Sequence, residues 1–127
     1  IYPHILDPIL REFRRVLRPG GLMSHFIDLS DHFAHLDPSI TIYNFLRFSK
    51  RQWRLIDNPI QPQNRWRMPQ YRQLFEQTGW QILKEENRPG DLKALRSVPV
   101  HEEWRSMTEV DLAVSHGYVV TDPSARS

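Results

Sequence analysis

The strongest constraint on this chain is the stretch Arg14-Arg15-Val16-Leu17-Arg18-Pro19-Gly20-Gly21-Leu22-Met23-Ser24-His25-Phe26-Ile27-Asp28. It reads as a helix end, a hard stop at Pro19-Gly20-Gly21, and a strand that delivers polar residues into a loop. The residue before a proline is pushed out of the helical region, so the helix ends at or before Arg18. A helix feeding a strand in this way is the second half of a crossover in a parallel α/β sheet. Leu22 to Leu29 is apolar with few interruptions, the pattern of a strand covered on both faces.

The helix itself is expected to open at Asp7-Pro8, with Asp7 accepting free amide hydrogens and Pro8 pre-set for the first turn. Ile9, Leu10, Phe13, Val16 and Leu17 share one face, while Arg11, Glu12, Arg14 and Arg15 point away. Beyond the strand, Ser30 to Pro38 is a polar loop at what would be the carboxyl end of a parallel strand, where open α/β sheets bind ligands. Asp28, Asp31, His32, His35 and Asp37 crowd into it. Asp28 and His32 are candidate ligand-facing residues. Imidazole and carboxylate suit divalent metals, but no regular helical ligand spacing enforces a metal site.

Downstream, Ser49 with Gln52 fits a capping box and predicts a helix over Lys50 to Ile56. The aromatic segment around it, Ile40 to Ile56, is placed to form a lid, a substrate pocket or a plain cover on the sheet. Pro69 sits near the start of a further helix in which Tyr71, Leu74, Phe75 and Thr78 recur at helical spacing, and Gly79 closes it. Trp80 to Glu86 reads as a strand, and Asn87-Arg88-Pro89-Gly90 as a turn. Short helical pieces follow between Asp91 and Leu112, one opening at Thr108. Gly117 to Thr121 is a last short strand, and 122–127 a flexible tail, which leaves 1–121 as a single domain. Arg65 and Arg67 are suited either to an anionic substrate or to loop carbonyls.

Composition narrows the function classes. The 127 residues hold no cysteine, which excludes disulfides and thiol chemistry. No apolar run reaches the roughly 18 residues of a membrane span and no signal-peptide pattern opens the chain, so a cytoplasmic protein without a membrane partner is expected. The net charge of +2 divides unevenly. Residues 1–75 carry eleven Lys and Arg against six Asp and Glu, and 76–127 carry six against nine. Arginines dispersed at so modest a net charge describe a solvated surface rather than a nucleic-acid interface.

Two segments carry a family resemblance. The amphipathic helix ending in Arg15-Val16-Leu17-Arg18-Pro19-Gly20-Gly21-Leu22 resembles the segment before the fifth strand of class I S-adenosylmethionine-dependent methyltransferases. Tyr71 to Ile82 resembles the segment that leads into their sixth strand, and Gly117 to Thr121 would be the closing antiparallel strand. The resemblance implies the carboxyl-terminal half of a Rossmann-like fold, about three strands with flanking helices. The first four strands would lie upstream of Ile1, together with the glycine-rich turn that holds the methionine part of the cofactor and the acidic residue that holds its ribose. Gly20, Gly21, Gly79, Gly90 and Gly117 form no G-x-G arrangement. The expectation is therefore a substrate-side wall, with Asp28, His32, Tyr43, Asn64 and Arg65 as acceptor-binding candidates. The chain alone would have no cofactor-binding residues, no metal and no catalysis. A small-molecule acceptor is implied for the intact enzyme.

A truncated sheet has a consequence for assembly. The strand near Leu22–Leu29 would be left as a long apolar edge, so a homodimer or higher oligomer through that edge is expected. Two further classes fit the residues. One is a non-catalytic interaction module using Tyr43–Trp53 as its contact surface. The other is a small metal-dependent hydrolase using Asp28, Asp31, His32 and His35.

Overall fold

The structure, a computed structural model, describes residues 2–58 and 63–123. Helix α1 spans Pro3–Val16, strand β1 Met23–Asp28, helix α2 Lys50–Ile56, helix α3 Met68–Gln77 and strand β2 Trp80–Arg88. Two short helices, α4 (Leu92–Arg96) and α5 (Glu109–Ala113), precede the last strand, β3, His116–Pro123. Single 3₁₀ turns fall at His32–His35, Asn44–Arg47 and Glu102–Trp104. Among the described residues no helix is long and apolar enough to cross a membrane.

Helix α1 starts earlier than the Asp7-Pro8 signal suggests. Pro3 takes the first helical position, and Ile5 and Leu6 both donate to the Tyr2 carbonyl. Pro8 therefore lies inside the helix, where it removes one backbone hydrogen bond. Asp7 bonds Arg11 one turn on at 2.7 Å instead of capping. The capping box at Ser49 and Gln52 forms as its spacing implies, each side chain meeting the other's backbone N–H. Thr108 likewise caps α5 by accepting from the Asp111 amide. Gly79 closes α3 with φ of 89°, a conformation that glycine takes up without strain.

The sheet order is β1-β3-β2, and β3 pairs antiparallel with both neighbours. The last strand is antiparallel, as expected for Gly117 to Thr121, but the expected parallel sheet is corrected: β1 and β2 run in the same direction yet are separated by β3, and no two neighbouring strands among the described residues are parallel. The protein is a small mixed α/β domain with a three-stranded antiparallel sheet and flanking helices. β1 is also not covered on both faces. Its burial alternates, and Phe26 is 56% exposed on the outer face, beside Tyr118 at 42%. β3 runs on through Asp122 and Pro123, two residues that sequence had assigned to the tail. Asn87 and Arg88 likewise remain in β2, opposite Gly117 and His116. The rest of the expected tail, 124–127, lies outside the described residues.

Two apolar clusters result. Leu10, Ile27, Leu29, Leu74, Phe75 and Trp80 fill the space between the inner sheet face and the helices α1 and α3. Trp80 Nε1 donates to the Leu10 carbonyl at 3.1 Å and Arg14 Nε to the Gly79 carbonyl at 2.9 Å, which ties α1 to the turn between α3 and β2. The second cluster holds Tyr43, Phe45, Leu46, Trp53, Leu95 and Trp104. The aromatic segment before α2 is thus the interior of a second core, and its large side chains are not a contact surface.

Arg67 joins the two clusters. Its side chain is fully buried and donates to the carbonyls of Leu29 at 2.5 Å, Arg65 at 3.3 Å and Leu112 at 3.5 Å, with the Phe45 ring 5.1 Å from the guanidinium carbon. Burial pushes its pKa down to about 10, and the group stays charged at neutral pH. A planar donor fork can serve several carbonyls at once, so the charge is held by backbone dipoles.

Candidate functional site

A cavity of about 290 Å³ opens where α1, α3 and the edge strand β1 meet. Its walls are apolar because each element turns its hydrophobic stripe inward: Leu6 and Leu10 from α1, Ile27 from β1, Leu74 and Phe75 from α3. At the carboxyl end of β1 the lining turns polar, with Asp28, His32 and Tyr71.

Asp28 is the centre of that end. Its Oδ1 accepts from the Ser30 amide at 2.9 Å and the Ser30 hydroxyl at 2.6 Å. His116 Nε2 stands 3.5 Å from Oδ1, and His32 Nε2 3.3 Å from Oδ2. Partial burial pulls the carboxyl upward, but the Ser30 hydrogen bonds and the two imidazoles outweigh it and hold its pKa below the ordinary value. Tyr71 faces the opposite case. Burial first, and then the Asp28 charge, push its hydroxyl up to about 12 against the opposing pull of Arg67. The hydroxyl therefore keeps its proton. Its oxygen accepts from Asn64 Nδ2 at 3.1 Å, while Asn64 Oδ1 holds the Trp66 amide at 2.8 Å.

Deeper along the cavity, His25 is half-buried against Phe75, ring centroids 4.9 Å apart, with Nε2 3.1 Å from the Thr121 hydroxyl. Burial lowers its pKa, so it packs as a neutral aromatic ring.

The five residues singled out from sequence separate into two places. Asp28 and His32 meet, and Asn64 stands behind Tyr71 as its hydrogen-bond donor. Tyr43 and Arg65 lie in the second core. The Tyr43 hydroxyl donates to the Ala113 carbonyl at 2.6 Å and accepts the Asp91 amide at 2.9 Å. Arg65 donates to the carbonyls of Phe45 at 3.1 Å and Phe48 at 2.6 Å, lies 3.4 Å from Glu103, and is sandwiched between Trp53 and Trp104. Sequence reading missed Tyr71, whose periodicity marks it only as a core position, and His116, which meets Asp28 only through the register of β1 on β3.

Beyond the Asp28–His32 contact, the carboxylates and histidines of the loop do not gather into a ligand set. Asp31 is buried, caps the following 3₁₀ turn by accepting from the Phe33 amide at 2.9 Å, and has its carboxyl pushed up by that burial. Among the described residues no group of three or more His, Asp or Glu side chains is placed to hold a metal ion. The glycines test the fit of the cofactor that the resemblance implies. A Cβ at Gly90 would lie 1.9 Å from the Ala113 carbonyl, and one at Gly117 would lie 2.9 Å from Met68 Sδ, so both are closed by packing. The residues present do not fit a glycine cradle, and no chemical step through S-adenosylmethionine is assigned to them. No family model matches this chain, and no curated protein or solved structure is similar enough to count as a match.

Proposed function

We propose that this chain is the substrate-side, carboxyl-terminal part of a class I methyltransferase domain, with a Rossmann-like half-sheet, and that it acts within a longer polypeptide in the cytoplasm. The observation that carries the reading is the order of elements. Each of β1 and β2 is fed by its own helix through a glycine-bearing turn, and a final strand closes antiparallel on both. On this reading they take the places of the fifth strand, the sixth strand and the closing strand that the resemblance implies.

On this reading the cavity receives the methyl acceptor, a small molecule, and holds it by orientation rather than by covalent chemistry. Asp28, His32 and Tyr71 supply the polar contacts, and Asn64 positions Tyr71. Tyr43 and Arg65 act on the frame that carries the site. S-adenosylmethionine belongs to the upstream half. A methyltransferase reading also fits the arginines better than nucleic-acid binding does. Arg65 and Arg67 are buried, and Arg11, Arg15 and Arg72 are paired with Asp7, Glu12 and Glu85.

The uncovered edge of β1 supports the expected self-association. Leu29 N donates to the Ser115 carbonyl, and the alternation of an antiparallel ladder then turns the amides of Ile27, His25 and Met23 toward β3. Those of Ser24, Phe26 and Asp28 face away from the sheet. The coding sequence upstream of Ile1 tests the main reading: it should encode a strand followed by a G-x-G turn, and the longer product should methylate a small acceptor. A continuation without that motif, or one without methyl transfer, would overturn it.

A further inference from the structure

We infer that the cavity between α1, α3 and β1 binds a neutral hydroxylated aromatic molecule of one or two rings, which deepens the methyltransferase reading by naming its acceptor class. The first argument is charge. The Asp28 carboxylate lines the polar end of the cavity, while the Arg67 guanidinium is buried on the carbonyls of Leu29, Arg65 and Leu112. An anionic head would be repelled by Asp28, so an uncharged head is favoured over an anionic one.

The second argument is the inventory of donors and acceptors. Tyr71 already accepts from Asn64, which leaves its O–H to donate. The Asp28 carboxylate at the same end only accepts: Ser30 occupies Oδ1, and Oδ2, 3.3 Å from His32 Nε2, keeps acceptor capacity. One donor and one acceptor at the same end of a cavity match a hydroxyl group, which accepts one hydrogen bond and donates another. A ketone would leave the carboxylate oxygen without a donor, and an apolar group would leave both unmet.

The third argument is size and wall chemistry. An apolar cavity of about 150 Å³ suffices for benzene, and this one measures about 290 Å³. Phe75 and the neutral His25 ring present aromatic surface, while Leu6, Leu10 and Leu74 complete an apolar sleeve.

The test uses 2-naphthol, naphthalene and 2-naphthoate as probes on the chain as it stands, followed by ligand-observed NMR. The expected result is saturable 2-naphthol binding at least about tenfold tighter than naphthalene, since two hydrogen bonds separate the probes, with 2-naphthoate weaker still. Tyr71→Phe, checked for unchanged circular dichroism, should bring the naphthol-to-naphthalene preference down to about threefold or less. Equal binding of naphthol and naphthalene, preference for the naphthoate, or no naphthol binding would overturn the inference. Because the probes need no cofactor, naphthol binding stands apart from the upstream-sequence test. A longer product that methylates some other acceptor while this chain ignores naphthol would remove the inference and keep the methyltransferase reading.

Discussion

Arg67 ties the two cores of this structure together. It is a buried cation whose hydrogen bonds go to carbonyls of both cores. Arg67→Ala would leave those carbonyls unpaired and open a cavity between the clusters, a loss of about 3 kcal/mol or more in urea denaturation. Arg67→Met removes the charge and keeps most of the volume, so it should cost clearly less than the alanine variant. Gly90 and Gly20 make a second paired test. Both have positive φ, +69° and +79°, but a Cβ at Gly90 would lie 2.2 Å from the Tyr43 hydroxyl oxygen while Gly20 has nothing within 4 Å. Gly20→Ala should cost about 1 kcal/mol from its left-handed backbone alone, whereas Gly90→Ala should leave the chain unfolded at ordinary temperature. Asp28 gives a pH test. Its folded pKa lies below the unfolded one, so its contribution is complete above the unfolded value, about 3.9, and is lost as pH falls through the folded value. The urea midpoint of the wild type should fall across that acid window more steeply than that of Asp28→Asn.

At the scale of elements, what was legible in sequence was whatever local chemistry decides. The Ser49–Gln52 box, the Thr108 cap and the stops at Pro19-Gly20 and Gly79 each act within a few residues, and each forms where its spacing says. Pro8 misled because a proline reads as a helix start. The tertiary contacts of Leu6 and Leu10 hold the turn before it in the helix, a gain that outweighs one lost hydrogen bond. Strand direction was not legible in the residues of β1 themselves: its apolar run looks the same whether its neighbour is parallel or antiparallel, and the antiparallel closing strand was implied by the resemblance alone. The site was likewise half visible. Asp28 and His32 are four residues apart, but the meeting of Asp28 with His116 depends on the whole ladder. The open edge of β1 yields the prediction proper to this scale. Ser24→Pro removes an amide that faces away from β3, so the sheet should persist by circular dichroism. Self-association through the edge should disappear in sedimentation. Association unchanged by the proline would place the interface elsewhere.

For the whole molecule, the account is that two cores pinned by Arg67 hold a cavity at the free edge of a half-sheet, and that this cavity is the acceptor side of a site completed by an upstream half. The glycines serve packing and turns, and on the proposed reading the cofactor-binding residues therefore lie outside this chain. The most direct measurement is calorimetry with S-adenosylmethionine, run on this chain and on the polypeptide extended upstream of Ile1. The account predicts heat of binding only for the extended polypeptide. Binding to the chain alone, or none to either, would contradict it.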